Sequence, residues 1–489
     1  GYHGYWITDF TDVDRHLGTR AEFRDLVDAA HARGMKVYMD IVINHTADVI
    51  KYRECPQNDC VYRSLADYPY TRRGGVSGEA INDGFLGDDE AHQTAANFAH
   101  LTRPDYAYTP YVPAGEEHAK SPDWLNDPIY YHNRGETTYR NESSTYGDFS
   151  GLDDLFTENP KVIQGFIDIY GQWIDDFGID GFRIDTAKHV DAAFWRAFIP
   201  AMIRRAQARG IANFHIFGEV ADHDPALLAA FARSSGFPAV LDFAFETTVE
   251  NVVLKGQGTS QLARLIQADV DYPDGAAGAR RLPTFLGNHD DGRFAFFARR
   301  DNPKAPDAEI LERVILGHAV MFFLRGQPVI YSGDEQGFAG TGGDQDARQP
   351  LFASQVASYN ATPLVGTTAT TAQDNYHPDH PIYRALAEMA RIRGADPALR
   401  RGDQVVRAAG DGAGLFAVSR HLPGSDEETL IAFNTSLAPI TAQVQVDATS
   451  RRWRAEHGAC PESPTAPGSY RVTLAPLDYI VCTTSMVRK

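Results

Sequence analysis

The stretch Gly181-Phe182-Arg183-Ile184-Asp185-Thr186-Ala187-Lys188-His189 gathers an arginine, an aspartate, a lysine and a histidine into seven residues. It opens apolar and closes polar, the pattern by which a buried strand delivers side chains to a site. Three other apolar runs end the same way: 35–43 into Asn44 and His45, with Asp40 inside it, 213–217 into Glu219, and 282–287 into His289 and Asp290. Three carboxylates from three strand ends, flanked by arginine and histidine, suit the hydrolysis of a glycosidic bond. One carboxylate attacks the anomeric carbon, and a second gives its proton to the leaving oxygen and then activates water. Arg183 shares a strand face with Asp185 by the period of two and would keep it ionised. Glu219 follows Phe217 and Gly218, and an apolar, crowded setting is expected to raise its pKa as an acid requires. Asp290 is left to stabilise a cationic transition state. Each residue also has a plain reading: Asp185 as an ion-pair partner, Glu219 as a helix N-terminal charge, His289 and Asp290 as loop polarity.

The elements that must position these residues alternate in type. Thr19-x-x-Glu22 is a capping box opening a helix that ends at Gly34, and the strand 35–43 follows it. Further helix–strand pairs run 160–177 with 179–185, 192–208 with 213–219, 225–234 with 239–243, 260–270 with 282–287, and 308–325 with 328–331. A last helix covers 382–394. Six parallel strands in series predict a (β/α)8 TIM barrel, with a large doubly wound sheet as the alternative. No Gly-x-Gly-x-x-Gly follows any strand, which counts against dinucleotide or nucleotide binding. In a barrel the strand C-terminal ends converge on one face, where these polar residues sit. Between 46 and 151 the alternation stops in favour of Tyr, Asp, Pro, Gly and Asn, too long for a plain loop and expected to be an inserted subdomain. Beyond residue 397 short alternating strands, among them 414–420, 429–433 and 442–446, predict a small antiparallel β domain.

The formal charge of 46 − 65 = −19 argues against nucleic acid or an anionic membrane as partner. No run reaches the roughly 18 apolar residues of a spanning helix. The four cysteines pair by position, Cys55 with Cys60 and Cys460 with Cys482, without zinc-site spacing. They read as two local disulfides, hence an oxidising compartment, with four buried free thiols as the alternative.

Four ordered motifs resemble the α-amylase family, family thirteen of the glycoside hydrolases: Asp40-Ile-Val-Ile-Asn44-His45, the 181–189 stretch, Gly218-Glu219-Val220, and Phe285-Leu-Gly-Asn-His289-Asp290. Gly151-Leu-Asp-Asp154-Leu and Gly326-Gln-Pro-Val-Ile-Tyr331 agree as well. The resemblance covers nearly the whole chain. It implies a catalytic barrel over 1–45 and 152–396, a domain B over 46–151, and a C-terminal β-sandwich over 397–489. It also implies that the barrel's first strand, first helix and second strand are absent from this chain, which alone should not close a barrel. By resemblance Asp185 is the nucleophile, Glu219 the acid/base, Asp290 the transition-state stabiliser, and Arg183 orients the nucleophile. His45 and His289 bind sugar hydroxyls, Tyr5 stacks on the sugar with His3 and Trp6 nearby, and Lys188 and His189 reach the leaving-group side. Calcium is implied between barrel and domain B, on Asn44, Asp154 and the His189 carbonyl, with Asp153 adjacent as a possible slip of one.

The implied enzyme is a retaining hydrolase of α-1,4-glucosidic bonds in starch, glycogen or maltooligosaccharides. An α-glucan transglycosylase or an α-glucosidase of the same family is the alternative, and a catalytically dead binding module a third. Thr186 stands where relatives cutting α-1,6 bonds often carry valine. A secreted or periplasmic monomer is expected, with an α-glucan as partner and neither nucleic acid nor membrane.

Overall fold

The computed structural model describes residues 3–56 and 60–484. The chain divides into two compact units, Gly1–Ala221 with Phe231–Val240, and Asp222–Ala230 with Leu241–Lys489.

In the first unit helix α1 (Arg20–Ala32) starts at the expected capping box, with Thr19 accepting from the Glu22 amide and Glu22 reaching back. It leads into β1 (Tyr38–Ile41). Helix α2 (Pro160–Phe177) begins on an Asn159 cap with proline in its first turn and stops at Gly178, whose φ of 67° admits the left-handed cap. It packs through Val162, Phe166, Ile169, Tyr170, Trp173 and Ile174, the 3.6-residue period of a core-facing helix. β2 (Gly181–Ile184), helix α3 (Ala192–Ala208) and β3 (His215–Gly218) follow. The sheet order is β1-β2-β3, all parallel, with Asp40 opposite Arg183 and Ile184 opposite Gly218. Gly218 continues the ladder to Val240.

Among its described residues the inserted segment has no long helix or strand. Its core is largely aromatic, built on Tyr70, Phe85, Phe98 and Tyr106 packed with Phe156 from just beyond it. Arg134, fully buried, lies over the Tyr70 and Tyr106 rings. Two-stranded pairings tie its ends together: His45–Thr46 faces Asp153–Asp154, and Lys51–Tyr52 faces Pro110–Tyr111.

In the second unit Pro283–Thr284 pairs in parallel with Gln327–Pro328, and the Asp242 amide donates to the Pro283 carbonyl. The strand expected over 239–243 is only a single bridge at Val240, because Asp242 caps a helix, Phe243–Val249, by accepting from the Phe245 amide. The strand expected over 282–287 is present only as Pro283–Thr284, the one expected over 328–331 is met only at Pro328 by Gln327–Pro328, and helices Asp307–Phe323 and Pro381–Ala395 fall where predicted. The C-terminal part is a five-stranded antiparallel sheet, running Asp403–Ala408, Leu415–His421, Glu428–Asn434, Tyr479–Thr484, Trp453–His457, with a separate two-stranded pair. Leu430, Ala432, Val444, Tyr470, Val472 and Ile480 form its core. Both expected disulfides are present, Cys55–Cys60 and Cys460–Cys482. No helix among the described residues is long and apolar enough to cross a membrane.

Glu246, in the Phe243–Val249 helix, is 5% exposed, and burial, with Asp291 and Glu250 nearby, pushes its carboxyl up to about 8. Its folded pKa lies above its unfolded one, so its contribution to stability is full below about pH 4.5 and is lost as pH rises through 8. Glu246→Gln is therefore expected to raise the melting temperature at pH 9 and leave it almost unchanged at pH 4. A pH series of thermal melts on both proteins checks this, and a pH-independent difference would contradict it.

Candidate active site

Arg183 is the hub of the site in the first unit. Its Nη1 donates to Asp40 Oδ1 at 2.9 Å and to Asp185 Oδ1 at 2.7 Å, and its Nη2 meets Glu219 Oε2 at 2.9 Å. Although burial alone would favour the neutral form, Asp40, Glu219 and Asp185 hold the guanidinium well above its ordinary pKa. The parallel register makes this possible. Arg183 and Asp185 point the same way along and just beyond β2, Asp40 sits directly across on β1, and Glu219 follows β3 with its amide on the Ile184 carbonyl.

Thr186 has φ +44°, a left-handed conformation that costs a β-branched residue about 1–3 kcal/mol. That turn lets its amide donate to Glu219 Oε2 at 3.0 Å while its hydroxyl donates to Asp185 Oδ2 at 3.1 Å. Glu219 thus sits between a guanidinium and an N–H, not in the apolar crowding expected from Phe217 and Gly218. The cause is the Arg183 fork, which is long enough to reach past its own strand.

Tyr5 donates its hydroxyl to Asp40 Oδ2 at 2.8 Å, and burial together with Asp40 raises its pKa. His3 accepts from the Tyr5 amide and meets the Trp6 ring edge-on at 4.6 Å. Trp6 itself is 53% exposed. His45 is buried, and burial pushes its imidazole down to about 4, so it is neutral at ordinary pH. Its Nε2 has no hydrogen-bond partner among the described residues. Phe149 stacks on His45 at 5.6 Å and meets His189 at 5.2 Å. His189 Nδ1 donates to the Ser144 carbonyl at 2.7 Å, which fixes its tautomer. Lys188, exposed, donates to the Ala221 carbonyl.

In the second unit His289 Nε2 lies 3.1 Å from Asp290 Oδ2, and Arg348 Nη2 lies 2.9 Å from Asp290 Oδ1 and 3.2 Å from Asp344. The Asn288 side chain accepts from the Asp290 and Asp291 amides and shapes this turn. Sequence reasoning missed Arg348, 58 residues from Asp290 in an irregular loop. It named Asp40 as a strand-end residue but gave it no partner; its place across from Arg183 in a parallel pair was the available signal.

Asn44 and Asp154 are both buried, and the Asn44 carbonyl accepts from the Leu155 amide. Asp154 Oδ2 meets His132 Nδ1 at 2.6 Å, and His132 Nε2 meets Glu158 at 2.9 Å. Burial pushes Asp154 up to about 8, the mark of a carboxylate short of positive charge. Carboxylate and amide oxygens such as those of Asp154 and Asn44 are the donor type a hard cation takes, with Asp154 Oδ2 already engaged by His132. Asp153 does not fit: Lys120 Nζ, fully buried, lies 2.5 Å from it, and the Val49 and Ile50 amides donate to it.

A parallel βα fold whose strand ends carry Arg183, Asp185 and Glu219, interrupted by an insertion and followed by an antiparallel β domain, is the architecture of barrel glycosidases. Residues 2–402 match the family model for the α-amylase catalytic domain, and the chain belongs to the α-amylase family of glycoside hydrolases. It is 44% identical over 436 residues to an α-amylase of Streptomyces lividans, a match covering 89% of this chain and 46% of that protein. It is 25% identical over 364 residues to a cyclomaltodextrin glucanotransferase of Niallia circulans, covering 73% and 41%. The chain thus spans less than half the length of these curated relatives. The solved structure of a Geobacillus thermoleovorans α-amylase complexed with acarbose has the same fold, with TM-score 0.70, 24% identity, and coverage of 100% of this chain and 85% of that one. An Anoxybacillus α-amylase gives 0.71, 24%, and coverage of 100% and 84%.

Proposed function

We propose that this chain carries out retaining hydrolysis of α-1,4-glucosidic bonds in starch, glycogen or maltooligosaccharides. The observation that carries the reading is the single guanidinium of Arg183 holding both Asp185 and Glu219 at the ends of neighbouring strands. Two carboxyls gripped by one planar fork suit the close spacing, about 5–5.5 Å, of the retaining route, which leaves no room for a water between carboxylate and sugar.

Asp185 attacks the anomeric carbon while Glu219 gives its proton to the departing glycosidic oxygen, leaving a glycosyl ester on Asp185. Glu219 then takes a proton from water, the water oxygen bonds to the anomeric carbon, and Asp185 is released. The Arg183 guanidinium and the Thr186 amide hold Glu219 in place beside Asp185. Asp290, carried by the second unit, is assigned the stabilisation of the oxocarbenium charge. His45, neutral and with an orphaned Nε2, is suited to a sugar hydroxyl, and His289 takes the same task. Tyr5, fixed by Asp40, offers a ring to the sugar, with His3 and Trp6 beside it. Lys188 and His189 stand on the leaving-group side.

We assign the barrel to 1–45 and 152–396, domain B to 46–151, and the C-terminal β domain to 397–489. Asn44, Asp154 and the His189 carbonyl are assigned to calcium, which when bound would supply structural charge compensation rather than chemistry. Chelation is expected to lower the melting temperature, by the equivalent of about 2.7 kcal/mol where calcium had been at 100 times its Kd, and Asp154→Asn to remove that response. No shift with chelator would remove calcium from the proposal. The two disulfides support a secreted or periplasmic location.

The named activity of the Niallia circulans relative favours one second reading, transfer of the glycosyl unit to a sugar hydroxyl instead of water. Product analysis on soluble starch separates the two. Reducing ends that rise with time support hydrolysis, and constant reducing ends with redistributed chain lengths support transfer.

A further inference from the structure

The turn that carries Asp290 is bolted to the loop over 342–349. The Asp344 amide donates to the Asp290 carbonyl at 2.8 Å, and Arg348 Nη2 donates to Asp290 Oδ1 at 2.9 Å. A Cβ at Gly343 would lie 2.3 Å from the Asp290 carbonyl oxygen, so this close approach requires glycine.

Three residues beyond Asp290 the chain buries a second arginine completely. Arg293 Nη1 donates to Asp334 Oδ1 at 2.8 Å, and its Nη2 donates to the Gln349 carbonyl at 3.4 Å. Its guanidinium lies over the Tyr331 ring, 4.1 Å from the centroid. The Tyr331 hydroxyl donates in turn to the Ala347 carbonyl at 3.0 Å. Arg293 therefore grips the backbone on both sides of Arg348, at Gln349 directly and at Ala347 through the tyrosine. The contacts close a circuit. It runs along the chain from Asp290 to Arg293, across to residues 347 and 349, and back through Arg348 to the Asp290 carboxylate. Exchanging a buried ion pair for apolar side chains is often neutral or stabilising, so stability alone does not account for a full charge here.

We propose that Arg293 is a positioning residue for the reaction: it sets the Asp290 carboxylate by holding the loop that carries Arg348. Buried as it is, it acts through Asp290 and not on the sugar. A charge-stabilising group works only if it is fixed before the charge develops, and the circuit fixes Asp290 by both its carbonyl and its carboxylate. This proposal rests on the α-glucan reading above and on the task assigned there to Asp290.

Two variants test it. Arg293→Lys keeps a cation opposite Asp334, so the fold is expected to survive, but an ammonium has neither the plane that lies on Tyr331 nor a second arm for Gln349. On maltoheptaose it should lower kcat about 100-fold, the scale set by a displacement of about 1 Å at a reacting group, with KM within about threefold of the parent. Tyr331→Phe keeps the ring and removes only the hydroxyl bonded to Ala347. It should lower kcat about fivefold while keeping a near-parental melting temperature. The decisive measurement repeats both substitutions in the Asp290→Asn protein with α-maltotriosyl fluoride, whose ready leaving group keeps slow variants measurable. There each added change should alter the rate by less than about twofold, because the group it positions is already gone. Losses that multiply in the double variants, a rise in KM with kcat unchanged, or full activity of both single variants would overturn the positioning role. A parent protein that cleaves neither substrate would instead overturn the hydrolase reading itself.

Discussion

Replacing Asp185 with asparagine is expected to cut turnover of maltooligosaccharides by about 10⁴-fold or more, the scale on which loss of a nucleophile acts. The amide has the shape of the carboxylate, and Arg183 keeps Asp40 and Glu219 as partners, so the fold and the binding of substrate should survive. Glu219→Gln should also fail on natural substrates, but differently. With α-maltotriosyl fluoride the leaving group needs no proton, so the first step proceeds and the second, which needs a base, stalls. A glycosyl-enzyme should then accumulate and appear by mass spectrometry on the peptide holding Asp185. The sugar released by the parent protein should have the α configuration. An adduct on another residue would move the nucleophile, and a β product with no adduct would make the enzyme inverting. Full activity of Glu219→Gln on starch would remove that residue from the acid/base role.

What the sequence made legible was what local rules decide. Thr19 with Glu22, Gly34 and Pro160 mark helix ends because capping and proline geometry act within a few residues. Asp185, Glu219 and Asp290 stood out because each closes an apolar run. What stayed hidden depends on partners far along the chain. Nothing near Asp153 announces Lys120, 33 residues away in a segment without period, yet the two form a buried ion pair. The setting of Glu219 was misjudged for the same reason. Its sequence neighbours are Phe217 and Gly218, but its hydrogen bonds come from the adjacent strand. The left-handed turn at Thr186 carries no glycine to betray it, and so the amide it aims at Glu219 could not be read in advance.

Arg183→Met should be the most damaging substitution for stability and activity together. It leaves Asp40, Asp185 and Glu219 facing one another without their shared cation. Removing one partner of a buried pair costs about 3–5 kcal/mol, and the lower end applies here because Asp40 is 41% exposed and partly screened. The sign of the pH dependence follows. Without the guanidinium the three facing carboxylates repel one another when ionised, so the loss should be small near pH 4 and grow as pH rises toward 8. Thermal melts across that range check it, and a constant deficit would point to lost packing instead of lost charge. Arg183→Lys should recover part of the stability, since it restores a charge, but little of the activity, because an ammonium cannot hold Asp185 and Glu219 on two arms of one plane. If lysine restored turnover fully, the fork would be irrelevant and Arg183 would matter only as a point charge. Adding Asp40→Asn to Arg183→Met removes one of the three stranded charges and should regain stability at pH 8 without regaining turnover, which separates the electrostatic cost of the cluster from its catalytic use.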